Sequence, residues 1–126
     1  MLTGTNIVTM LPVQDTDRAA RFYSGALGLR EIAPGPDGTR HFEVGGHNVI
    51  GLRPLPDAKP SENTALSFEV SDIAGEVGEL EGRGVTFLDY DTPELHTEGH
   101  IATFGGEKAA WFTDSEGNYL CLHQPQ

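Results

Sequence analysis

The chain has one cysteine, eight basic side chains against 19 acidic ones, and no long apolar run. Each scarcity removes a class of protein. A single cysteine, Cys121, permits no intramolecular disulfide and no cysteine-rich zinc site. A formal charge of -11 leaves no cationic surface for a phosphate backbone, so nucleic acid is not an expected partner. The same balance favours a cationic small molecule over an anionic one. No stretch of roughly 18 apolar residues occurs, so neither a membrane span nor a membrane partner is expected. The opening MLTGTNIVTMLPVQD carries no basic n-region and no long apolar core. No signal peptide is therefore expected, and a cytoplasmic location follows by elimination.

What is present falls into two halves with one grammar. NIVTMLPV reads as a strand, and Asp15 or Thr16 caps the helix after it. Within DRAARFYSGAL, Ala19, Phe22, Tyr23 and Leu27 share a stripe, and Gly28 stops the helix. PGPDGT is a turn, flanked by strands LREIA and RHFEVGG, with HNVIGLR as a third. The second half repeats the order. ALSFEV is a strand, Ser71 or Asp72 caps, and Ile73, Val77 and Leu80 recur at helical spacing before Gly82 and Gly84. Then come the strand VTFLDY, a long polar loop DTPELHTEGHIATFGG, the strand KAAWFT, the turn DSEG and the strand NYLCLH. Leu11-Pro-Val13-Gln-Asp15 matches Phe68-Glu-Val70-Ser-Asp72 at an offset of 57 residues, the mark of an internal duplication. Residues 53–64, RPLPDAKPSENT, make a natural linker. The expected fold is α+β: one domain of two tandem βαβββ modules, residues 1–56 and 57–126, with curved mixed sheets forming a cleft and helices on the outer face.

The blocks VQDTDRAARFYSGALGL (13–29), FEVSDIAGEVGELEGRGV (68–85) and AAWFTDSEGNYLCL (109–122) resemble the vicinal-oxygen-chelate superfamily. Its members include glyoxalase I, extradiol dioxygenases, fosfomycin-resistance enzymes and bleomycin-resistance proteins. The resemblance covers essentially the whole chain, and it implies a homodimer. It also implies where metal ligands would stand: a His seven residues before each helix-starting Asp, and a Glu in the last strand of each unit. Those positions fall on Val8, Ala65, Cys121 and either Ile50 or Gly51. Only Cys121 has a side chain that ligates metal, and one thiolate does not hold a divalent ion. No metal and no other cofactor is therefore expected. HTEGH, with His96 and His100, has the order His-x-Glu-x-His rather than His-Glu-x-x-His, and reads as loop histidines exposed to solvent or gating the cleft.

Strand parity supplies a lining. If Leu11, Val13, Phe68 and Val70 pack on the helices, then Val8, Met10, Ala65, Ser67 and Glu69 face the other way. In the last strand Leu120 and Leu122 join the helix side, and Tyr119, Cys121 and His123 face the cleft. Trp111 is favoured toward the cleft and Phe112 toward the helices. These nine cleft residues make a mostly apolar lining with polar fixing points, suited to a small organic ligand, cationic or aromatic. The alternative is a closed interior in which Val8, Met10, Ala65 and Trp111 are plain core, and Glu69 reads equally as a solvated strand end. A Cys121–His123 nucleophile pair is formally available, but no oxyanion-stabilising group is visible, and no catalytic residue is assigned. The favoured function is metal-independent small-molecule binding similar to the bleomycin-resistance branch, with antibiotic sequestration as its biological use. Two alternatives stand beside it: a lyase, isomerase or dioxygenase of the superfamily, and a noncatalytic dimeric structural or regulatory module.

Overall fold

The strand-forming run from Val8 ends where Asp15 turns the chain, its carboxylate accepting the Arg18 backbone N–H at 3.0 Å. The computed structural model describes all 126 residues, and the chain divides into two compact units, Met1–Pro60 and Ser61–Gln126.

In the first unit β1 (Val8–Val13) leads into α1 (Thr16–Arg21), followed by β2 (Arg30–Ile32), β3 (Arg40–Val44) and β4 (Asn48–Pro54). The sheet order is β1-β4-β3-β2, with β1 parallel to β4 and the other pairs antiparallel. Its core is Leu11, Val13, Ala19, Ala20, Tyr23, Phe42, Ile50 and Leu52. The helical stripe read from the sequence needs one correction. After Arg21 the helix widens into a π turn, Phe22–Ala26, closed by the Leu27 N–H on the Phe22 carbonyl at 3.1 Å. The wider turn puts Ala20 and Tyr23 inside and leaves Phe22 and Leu27 only half-buried. Gly28 then adopts φ 70°, a left-handed conformation that lets the Leu29 N–H reach back to the Tyr23 carbonyl.

The second unit runs β5 (Thr64–Glu69), α2 (Ile73–Gly82), β6 (Ala102–Phe104), β7 (Glu107–Thr113) and β8 (Tyr119–Gln124). Asp72 caps α2 as Asp15 caps α1, accepting the Gly75 N–H at 3.2 Å. The sheet order is β5-β8-β7-β6, and again the first and last strands of the unit are parallel. Ile73, Val77 and Leu80 of α2 are buried, as are Phe112, Leu120 and Leu122 of the sheet. Two elements of this unit differ from the pattern expected of its sequence. VTFLDY is not a continuous strand: Phe87 makes a single bridge to Phe112, and the Leu88 N–H meets the Trp111 carbonyl at 2.8 Å. The edge is completed by β6, which lies inside the segment read as a polar loop. Two short pieces thus share one side of β7, Phe87 opposite its C-terminal half and residues 102–104 opposite its start. The linker begins later than expected, because Arg53 and Pro54 still belong to β4 and pair with Pro12 and Val13.

Candidate functional site

Cross-strand partners share a sheet face, so the registers assign each side chain that parity left to inference. In the second unit Ser67 pairs with Cys121, Glu69 with His123, Trp111 with Cys121 and Thr113 with Tyr119. Ser67, Glu69, Trp111, Tyr119, Cys121 and His123 therefore stand on one face, opposite the Phe68, Phe112, Leu120 and Leu122 side. Ala65 has no partner on β8. The register slips between Thr64 and Leu66, leaving Ala65 as the extra residue of a bulge. In the first unit Val8 and Met10 alternate with the buried Leu11 and Val13 and are about half exposed, at 45% and 47%. Gly51, not Ile50, is opposite Met10, so Gly51 shares the face of Val8 and Met10 while Ile50 is core. A Cβ on Gly51 would lie 2.7 Å from the Met10 sulfur, which shows that the Met10 side chain lies across this glycine.

The polar group at the centre of the second-unit face is His123. Its Nδ1 is 2.8 Å from Ser67 Oγ, and its Nε2 is 3.7 Å from Glu69 Oε1. With both ring nitrogens so directed, His123 makes no Cys–His pair. The Cys121 thiol instead donates to the Leu122 carbonyl at 3.2 Å. Cys121 is 6% exposed, and burial pushes its thiol above the ordinary range, which disfavours the thiolate that nucleophilic attack requires. It is a small, inert floor residue.

The sequence missed Tyr90. Tyr90 meets Trp111 edge to face, with ring centroids 5.6 Å apart and planes at 83°. Burial first, and then the nearby Tyr119 and Cys121, raise the Tyr90 phenol above its usual range. Nothing in the local pattern of VTFLDY marks Tyr90 for this role, because its position depends on where the chain leaves the sheet edge. Residues after it fold back as a narrow hairpin, with Thr97 Oγ1 accepting the Tyr90 N–H at 2.9 Å and bridges at Asp91–His96 and Glu98–Ile101.

The loop histidines differ from a simple solvated reading. His96 is exposed beside Asp91 and Glu98, but His100 is pinned: Nδ1 lies 2.9 Å from Asp89, Nε2 3.0 Å from Glu81 of α2, and the ring stacks on Phe87 at 5.8 Å. These contacts, chiefly the Asp89 hydrogen bond, raise the His100 pKa. A hollow of about 630 Å³ beside this loop is lined by Leu95, His96, Ile101, Phe104 and Lys108 among others, and contains none of the nine residues singled out from the sequence. A second hollow, of about 480 Å³, borders the candidate face at Glu69.

The donor set does not fit a metal. Val8, Ala65 and Gly51 carry no side-chain lone pair, burial disfavours the Cys121 thiolate, and no group of three or more His, Cys, Asp or Glu side chains is placed to hold a metal ion. No helix is long and apolar enough to cross a membrane.

Comparison with solved structures gives the same fold repeatedly. The chain is similar to TnmS3, an antibiotic binding protein from Streptomyces sp. CB03234, with TM-score 0.72 and 23% identity over 100% of this chain and 99% of that one. A Glyoxalase/bleomycin resistance protein/dioxygenase superfamily member from Sphaerobacter thermophilus gives TM-score 0.76 and 23% identity, over 99% and 100%. The fosfomycin resistance protein FosX from Listeria monocytogenes gives 0.73 and 16%, over 100% and 96%. No curated protein matches the sequence. The family model described as Glyoxalase/Bleomycin resistance protein/Dioxygenase superfamily matches residues 7–122, and the chain belongs to that superfamily.

Proposed function

We propose that the protein is a metal-independent binder of small organic molecules in the manner of the bleomycin-resistance branch, with antibiotic sequestration as its use. The observation that carries this reading is the helix-free face of the second sheet. There Trp111, Tyr119 and Tyr90 supply aromatic surface beside the Ser67–His123–Glu69 polar group. Aromatic walls with a few fixed polar atoms suit an aromatic ligand, and Glu69 together with the net charge of -11 favours a cationic one. The family's metal positions, filled by Val8, Ala65, Gly51 and a buried Cys121, support binding over metal-assisted chemistry. The likeness to an antibiotic binding protein points the same way. Val8 and Met10 belong to the proposal as apolar surface on the first unit, and a homodimer is its expected assembly.

Calorimetry against bleomycin-type and other aromatic antibiotics tests the reading. Micromolar or tighter binding to a member of the panel is expected, and no binding across the panel removes the sequestration role. One observation favours a second reading, a metal-free lyase or isomerase: the His123–Ser67 hydrogen bond is short enough for proton transfer. Turnover of a ligand during the same titrations, seen as continuing heat after mixing, would select it.

A further inference from the structure

The geometry points to Ser67 as the atom that selects a ligand's hydrogen-bond donor, its own hydroxyl proton being turned inward by His123. This rests on the binding reading given above and specifies the ligand chemistry at that face.

Ser67 and His123 sit on adjacent parallel strands, and His123 uses its two ring nitrogens differently. Nε2 faces the Glu69 carboxylate at 3.7 Å. That separation is outside hydrogen-bond range, so Glu69 acts through its charge, and a negative charge on that side favours the ring proton on Nε2. A neutral imidazole carries one N–H, which makes Nδ1 an acceptor. The contact at 2.8 Å between Nδ1 and Ser67 Oγ then requires the Ser67 hydroxyl to donate. A serine has one proton to give, so Ser67 keeps only lone pairs for anything arriving from outside. Cys121, the cross-strand partner of Ser67, has its sulfur within hydrogen-bonding reach of the Ser67 hydroxyl, but it directs its S–H to the Leu122 carbonyl and so donates nothing to those lone pairs. Ser67 is exposed. A planar ligand resting against Trp111 thus meets an acceptor at Ser67 with a carboxylate beyond it. An aromatic ring bearing O–H or N–H is matched there, whereas an ether or a carboxylate in the same place finds no donor.

The test uses 6-hydroxyquinoline and 6-methoxyquinoline, whose common oxygen carries a proton in the first and a methyl group in the second. Binding is followed by the single indole N–H resonance of the protein, that of Trp111. The hydroxyl compound is expected to bind about fivefold tighter, the range of one net hydrogen bond. Ser67→Ala is expected to bring the ratio to about one, and Ser67→Thr to restore it, in proteins whose amide spectra stay native. The imidazole ¹⁵N shifts of ligand-free protein are expected to report the Nε2–H tautomer of His123. Equal affinity for the two compounds, with Trp111 responding to both, overturns the selectivity and leaves the binding reading standing. An Nδ1–H tautomer overturns it without reference to any ligand. An unmoved Trp111 resonance with both compounds counts against the binding reading as well as the selectivity.

Discussion

Tyr90 and Trp111 meet edge to face, 5.6 Å between ring centroids, although one lies in irregular chain and the other in a central position of β7. The contact joins the segment that leaves the sheet edge to the face where a ligand is expected. An edge-to-face pair is worth about 0.5–1.5 kcal/mol beyond its buried area. Tyr90→Ala is therefore expected to lower unfolding stability by about 1–2 kcal/mol. It should also shift Trp111 emission to longer wavelength, while Tyr90→Phe changes neither. Denaturant unfolding and emission spectra check this, and an Ala variant with native emission would show that the pair does not hold Trp111.

His100 supplies a pH dependence of known sign. It adopts φ 71°, in a tight turn where Glu98 and Ile101 exchange both backbone hydrogen bonds, and its ring nitrogens face Asp89 and Glu81. Both contacts favour the protonated ring, so its folded-state pKa lies above the unfolded one. The resulting stabilisation is complete below the unfolded imidazole value and is lost as pH rises through the raised folded value. His100→Asn removes the charge while tolerating the left-handed backbone. The stability difference between wild type and His100→Asn is expected to shrink steadily as pH is raised from about 5 to about 9. His96, beside Asp91 and Glu98, titrates in both proteins and cancels from that difference. A difference independent of pH would contradict the clamp.

Asp114 organises the turn between β7 and β8. It is buried, and Oδ1 accepts the backbone N–H groups of Glu116 at 2.8 Å and Asn118 at 2.9 Å, while Oδ2 accepts from the Asn118 side chain at 3.0 Å. Asp114→Ala strands buried donors and is expected to cost about 2–4 kcal/mol. Asp114→Asn, which keeps an acceptor for the two backbone groups, is expected to cost less. Thermal unfolding of the two variants orders them.

In the first unit Arg40 holds Glu31 through two bonds of 2.7 and 2.8 Å and reaches Asp17 of α1 at 2.8 Å. The hydrogen bond from Arg40 holds the Glu31 carboxyl below its usual value. A depressed carboxyl contributes stability above its unfolded pKa and loses it as pH falls through the folded value. Since these groups are partly exposed, solvent screening keeps the effect small. Arg40→Lys loses the two-pronged grip on Glu31 and is expected to cost about 1 kcal/mol near pH 7 and less near pH 3. A loss of the same size at both pH values would contradict the pairing.

The duplicated plan was legible because each half announces its strand-to-helix turn with an aspartate, and Asp15 and Asp72 both cap as their positions implied. Alternation likewise sorted Leu120 and Leu122 from Tyr119, Cys121 and His123, since β8 keeps its period without interruption. What stayed hidden depends on pairing across distance. β6 arises in a polar stretch because residues 102–104 fold back on β7, which local composition does not encode. The π turn after Arg21 changed which residues of the helix face inward, and the Ala65 bulge came from a one-residue slip against β8. The Ser67–His123 contact spans 56 positions and exists only in the register that sets Ser67 beside Cys121.

An organic ligand is expected to bind the Trp111 face without a metal. The most direct measurement follows the Trp111 indole N–H resonance of chelator-treated protein while aromatic antibiotics are added. A saturable shift at micromolar concentration, unchanged by added divalent ions, is expected. A resonance that stays in place until zinc or manganese is supplied would contradict it.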